Sequence, residues 1–251
     1  MKRLRRLVEH PAVKVAYFAL LVAAAVFYLV RWGDRMPELL AKMRPGWVLA
    51  ALGATILAAL VYSFIQYTIY HRLGAPLSYW TTFRIITIAQ LGKYLPGKVM
   101  FVGNYYLLSR AAGVSNLQVG TSFVISQALW MLTASLCGLP VLSLLNPVWR
   151  YTVLLFPLVL ALLVHPRILG GLLRLGQRLT RQARDEPLLL PQGVTATFYP
   201  WVAFLYLLTW GLAGLAAWSS LQAFGMLELG AFPLVLASIA LGTVAGFLAL
   251  F

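Results

Sequence analysis

Lys93 and Lys98 flank the dipeptide Pro96-Gly97 inside the stretch Gln90 to Arg110, QLGKYLPGKVMFVGNYYLLSR, which is otherwise apolar enough to enter a lipid bilayer. Arg84 stands just upstream, and between Glu38 and Asp185 there is no Asp or Glu to pair with any of the three cations. A cation at the bilayer centre costs roughly 2.5 to 3.5 kcal/mol even on the mild insertion scale, so these groups snorkel, face water, or meet an anion from outside. For a lipid phosphate the chemistry is ready. A helix restarting after Pro96-Gly97 aims free N–H groups and its positive dipole end at the place where Lys98 and Lys93 stand. The candidate substrate-binding residues are therefore Lys93, Tyr94, Pro96, Gly97 and Lys98, with Arg84, Asn104 and Gln127 as polar complement. Tyr94, Phe101, Tyr105 and Tyr106 either line an apolar path beside this cradle or pack in a core.

Catalysis finds little to use. The six acids, Glu9, Asp34, Glu38, Asp185, Glu186 and Glu228, are scattered, and no DxD, HExxH or GxSxG pattern occurs. His10, His71 and His165 have no carboxylate or cysteine nearby in sequence. The single cysteine, Cys137, excludes an internal disulfide and a cysteine metal cluster, and it reads as a small packing residue. No catalytic residue, metal or cofactor is expected.

The elements that must position the cradle are membrane helices. A chain that is 61% hydrophobic and 10% charged, with several long apolar runs, is a polytopic all-α membrane protein. A net charge of +14 suggests nucleic acid at first sight, but the cations follow the loops rather than one patch, and an anionic lipid surface explains them better. A basic head, Met1 to Lys14, precedes a first span, Val15 to Val30. Pro45 to Tyr70 is the second, with Ser63, Gln66 and Thr68 marking a protein-facing or wet side. Gln118 to Leu145 and Val148 to His165 form the third and fourth, turned at Asn146-Pro147. Tyr199 to Leu221 is the fifth, and Ala231 to Phe251 is a final apolar run. In the third span Thr121, Ser122, Ser126, Gln127, Thr133 and Ser135 give a polar face, for inter-helix hydrogen bonds or for a substrate path. Gly242 and Gly246 form a GxxxG that reads as close packing. Trp80, Trp149 and Trp201 read as interfacial anchors.

The lysine-bearing stretch breaks this pattern. Proline removes a donor and glycine loosens the helix, so the run divides into Thr81 to Leu95 and Val99 to Ser109. Neither piece reaches across a core of about 30 Å, and a re-entrant hairpin is the natural reading. Fifteen of the twenty Lys and Arg lie beside the head, the hairpin and the loop from Arg167 to Arg184, which makes those parts and the N-terminus cytoplasmic. Arg167 to Arg184 itself reads either as a basic amphipathic helix on the inner leaflet or as an ordinary positive-inside loop.

At an offset of about 150 residues, Gly74-Ala75-Pro76-Leu77 and Leu91-Gly92 align with Gly225-Met226-Leu227-Glu228 and Leu241-Gly242. Halves 1–146 and 147–251 of one transmembrane domain would then be inverted repeats, the second incomplete. On that pattern the terminal run, which ends GTVAGFLALF without an anchoring Lys, Arg or Trp, is expected to be the first arm of a second hairpin; otherwise it is a sixth span.

Gly92-Lys93-Tyr94-Leu95-Pro96-Gly97-Lys98-Val99, with Tyr106-Leu107-Leu108, Gly113-Val114-Ser115 and Ala245-Gly246-Phe247-Leu248-Ala249, resembles the lysylphosphatidylglycerol synthase transmembrane region, a flippase-like family. The resemblance spans nearly the whole chain. It implies a protein that translocates or handles anionic phospholipids or lipid-linked saccharides. Many relatives carry a charged residue where this chain has Phe101, Val102 and Asn104. The leading expectation is a lipid translocase of the cell membrane with five or six spans; the alternatives are a lipid-modifying enzyme and a non-catalytic partner of a synthesis enzyme.

Overall fold

The computed structural model describes residues 36–75, 77–92, 99–144, 146–148, 197–226 and 228–248, and the separate positions 22, 23, 26, 27, 30, 31, 33, 150, 151, 155, 159, 162 and 171. Among the described residues there are seven bounded α-helices and no strand. The chain divides into two units, 1–45 and 46–251. All of the basic head and most of the first and fourth spans and of the arginine-rich loop lie outside the described residues, as do residues 249–251.

In the first unit, α1 (Met36–Lys42) occupies a stretch that the hydropathy pattern leaves as a loop, and it ends with Lys42 where the helix dipole favours a cation. The Arg31 guanidinium lies 5.9 Å from the centre of the Phe27 ring.

The second unit contains α2 (Pro45–Arg72), α3 (Tyr79–Leu91), α4 (Val99–Ala111), α5 (Asn116–Cys137), a 3-10 turn (Leu139–Leu144), α6 (Phe198–Ala223), a second 3-10 turn (Leu229–Ala231) and α7 (Phe232–Leu248). Their ends follow from local sequence. Ser78 caps α3, accepting from the Thr81 amide at 3.2 Å. Ser115 and Gln118 form a reciprocal capping box at the start of α5. α2, α4 and α6 all end in the same way, with Gly74, Gly113 and Gly225 at φ +73°, +88° and +66°. In each, the amide after the glycine reaches five residues back: Ala75 to Tyr70, Val114 to Ser109 and Met226 to Leu221, at 3.0, 3.1 and 3.1 Å.

Three of these helices, α2, α5 and α6, are long and apolar enough to cross a membrane. α2 carries apolar side chains all round, with Leu49, Leu52, Ile56 and Leu57 exposed, as suits a helix that meets lipid. α5 is the spine. It supplies Ile125 and Leu129 to the cluster it shares with α2 and α6, Val119 to the one it shares with α2 to α4, and Met131 and Ala134 to the one it shares with α6 and α7. Trp130 and Trp210 stack at 4.0 Å between ring centres, and the Trp210 indole donates to the Trp130 carbonyl at 3.4 Å.

Two expectations are corrected here. The third span stops at Cys137 rather than Leu145, because Gly138 caps the helix and Pro140, which has no amide to donate, turns the chain into a 3-10 helix. Of the GxxxG pair, Gly242 does not pack closely, and the tight contacts of the described glycines lie elsewhere. A Cβ on Gly138 would meet Leu241 Cγ at 2.7 Å and one on Gly214 would meet Leu236 Cβ at 3.1 Å, whereas Gly242 has open space around it.

Candidate functional site

α3 and α4 each contain 13 residues, and at 1.5 Å per residue each is about 20 Å long, short of a hydrocarbon core of about 30 Å. They pack on one another, and their inner ends meet backbone to backbone. A Cβ on Gly92 would stand 2.6 Å from the Phe101 amide nitrogen and 2.7 Å from the Met100 carbonyl carbon. Glycine is required there by space, since its φ of -65° suits any residue. The sequence predicts two short helices, Thr81 to Leu95 and Val99 to Ser109; the second agrees within a few residues, the first ends already at Leu91, and Pro96-Gly97 lies outside the described residues.

Lys93, Tyr94, Pro96, Gly97 and Lys98 lie outside the described residues. Of the remaining candidates, Arg84 is exposed on α3, on a stripe with the exposed Trp80, Ile88 and Leu91. Asn104 is half-buried on α4 and Gln127 half-buried on α5. Among the described residues, none of these three is hydrogen-bonded to another. Phe101 and Tyr105 are core residues, 8% and 3% exposed, so they pack rather than line a path. Tyr106 is exposed and donates to the Asn116 side-chain carbonyl at 2.7 Å.

The polar residues that the structure gathers are a different set. Gln66 of α2 is the junction. Its amide donates to Ser126 Oγ on α5 and, at 3.1 Å, to the Tyr206 hydroxyl on α6. Ser126 and Tyr206 share a hydrogen bond of 2.7 Å. The Gln66 carbonyl faces the Tyr105 hydroxyl of α4 at 3.4 Å, and that hydroxyl also pairs with Ser122 of α5 at 2.8 Å. One turn on, Ser109 of α4 pairs with Tyr70 of α2 at 2.8 Å, and the Tyr70 and Tyr105 rings stack at 6.1 Å. Every member is buried, and buried polar groups need partners of this kind when no water is at hand.

The polar face of α5 thus divides. Ser122 and Ser126 make the inter-helix bonds that one reading expected, while Thr133 and Ser135 bond back to Leu129 and Met131 of their own helix. Sequence marked Gln66 and Ser126 as polar on their faces, but Tyr206 carried no signal: a tyrosine in an apolar span is unremarkable until its partner is known.

At one end of the second unit's helices, Arg72 at the end of α2 lies 6.0 Å from the Phe198 ring of α6, and Gln118 donates to the Leu73 carbonyl at 2.9 Å. Arg110 folds onto the Val114 carbonyl at 2.7 Å and satisfies part of the turn that follows α4.

Comparison with known proteins gives a match at the level of the family. A family model described as "Lysylphosphatidylglycerol synthase TM region" covers residues 13–250. Neither the curated proteins nor the solved structures contain a match. With nearly the whole chain covered, and with apolar helices long enough to cross a bilayer, this membrane-embedded protein belongs to the lysylphosphatidylglycerol synthase TM region family.

Proposed function

We propose that the chain is a translocase of anionic phospholipid or of a lipid-linked substrate, with the headgroup phosphate held by basic residues of the α3–α4 hairpin. The observation that carries this reading is the pair of arms too short to cross, joined backbone to backbone at Gly92, in a family named for lipid synthesis. Helix ends of this kind are tolerated at membrane depth only where protein or water shields them, and the stretch between them contains Lys93 and Lys98. On this reading Lys98 and Lys93 take the phosphate, Tyr94 and the Pro96-Gly97 break shape the site, Arg84 recruits headgroups on the outer flank of α3, and Asn104 and Gln127 face the headgroup. The hairpin is re-entrant from the cytoplasmic side of the cell membrane, the N-terminus is cytoplasmic and the chain makes five or six spans.

The test is native mass spectrometry of lipids that co-purify with the parent and with Lys98→Ala and Lys98→Arg. Loss of one charge-assisted hydrogen bond should reduce bound anionic lipid by about tenfold in Lys98→Ala, and Lys98→Arg should retain most of it. Equal lipid on all three proteins removes the cradle.

A further inference from the structure

Each arm of the hairpin is held in a different way, and the difference predicts how it moves. α3 and α4 meet through main chain at Gly92, where no side chain can swing aside. α4 meets the spine and α2 through side-chain hydroxyls, Tyr105 on Ser122 and Gln66, and Ser109 on Tyr70. The Tyr105 phenol has one proton and two acceptors. When it donates to Ser122, the Ser122 proton has the Val119 carbonyl at 2.9 Å, and the buried Gln66 carbonyl loses its donor. When it donates to Gln66, it must accept from Ser122 instead. The second arrangement gives every proton an acceptor, but its bond to Gln66 is long at 3.4 Å, so the fastening of α4 to α2 at this point is a weak one.

We propose that α3 and α4 open from the bundle together, as one body, with Tyr105 and Gln66 as the positioning residues that hold it shut while α5, α6 and α7 stay closed. The inference does not depend on which ligand the hairpin takes, because every residue in it is buried and bonded to protein. The ring contacts of Phe101 and Tyr105 with Phe123 of α5 guide the return.

Hydrogen–deuterium exchange of the full chain in nanodiscs tests it, comparing the parent with Tyr105→Phe. In the parent, amides of α3 and α4 exchange earlier than those of α5 to α7. Removing the hydroxyl should speed both hairpin helices by the same factor, about threefold for an inter-helix hydrogen bond in a membrane protein, and leave α6 and α7 unchanged. Ser122→Ala, which leaves the Gln66 acceptor in place, should give a smaller change in the same direction and serves if Tyr105→Phe does not fold. Acceleration of α4 without α3 overturns the single body. Acceleration that reaches α6 and α7, or none in either variant, overturns the role of Tyr105 and Gln66.

Discussion

α4 and α7 both lean on α5, and they are held there by opposite means. α7 brings Leu236 and Leu241 onto two glycines, Gly214 of α6 and Gly138 beyond α5, so that backbones approach and the contact is dry. Its cluster, Met131, Ala134, Trp210, Ala240 and Val244, contains no side chain that needs a hydrogen-bond partner except the Trp210 indole, which has one. α4 arrives with tyrosine and serine, and its neighbours answer with serine and glutamine. The comparison separates two ways of joining helices where the hydrophobic effect gives no help: surface fit, which is lost abruptly, and polar pairing, which is lost in small steps.

The largest effect should come from the one place where the hairpin itself uses backbone contact. Gly92→Ala puts a methyl group against the Met100 carbonyl and the Phe101 amide, with no flexible side chain to give way. A cost of about 3 kcal/mol or more in detergent unfolding is expected, at the top of the range for overpacking. A neutral result would mean that the arms do not meet as described.

Gly214→Ala is next. Its methyl meets Leu236, whose Cδ1 at 2.9 Å can turn but whose Cβ at 3.1 Å cannot, so about 1 to 2 kcal/mol is expected in the same assay. If it proved harmless, the contrast between the dry and the polar junction would lose its first half.

Tyr206→Phe sharpens the second half. It leaves the Gln66 amide with Ser126 and removes one member of a three-way pairing, which should cost about 0.6 kcal/mol, the average for such bonds between membrane helices. A cost of about 1 to 2 kcal/mol, equal to that of Gly214→Ala, would make the polar junction as abrupt as the dry one. The smallest effect belongs to Gly242→Ala, where the added methyl meets open space and gains helix propensity; stability should rise by up to about 1 kcal/mol.

Much of this architecture was legible. The apolar runs gave α2, α6 and α7 to within a few residues, and the Pro96-Gly97 break gave two short arms. The true starts of α3 and α5 were also written in the chain, as Ser78 with Thr81 and Ser115 with Gln118, but hydropathy outweighed the caps and placed both starts a few residues late. The end of α5 was written there too, in Gly138 and Pro140, whereas the tight fit of Leu241 against Gly138 was not legible, since Leu241 lies more than a hundred residues away. The same holds for Gln66: its partner Tyr206 lies 140 residues on, and a helical period tells which way a side chain points without telling what it finds there. Gly242 of the GxxxG has no close neighbour for a related reason, because a small residue permits close approach and does not supply the partner.

The stacked Trp130 and Trp210 pair has a use outside stability. Two indoles at 4.0 Å share their electronic excitation, so they should produce a paired signal of opposite signs in near-ultraviolet circular dichroism, absent from either single tryptophan-to-phenylalanine variant. α5 and α6 thus carry their own optical gauge, one that reads the distance between the spine and its neighbour without any attached dye.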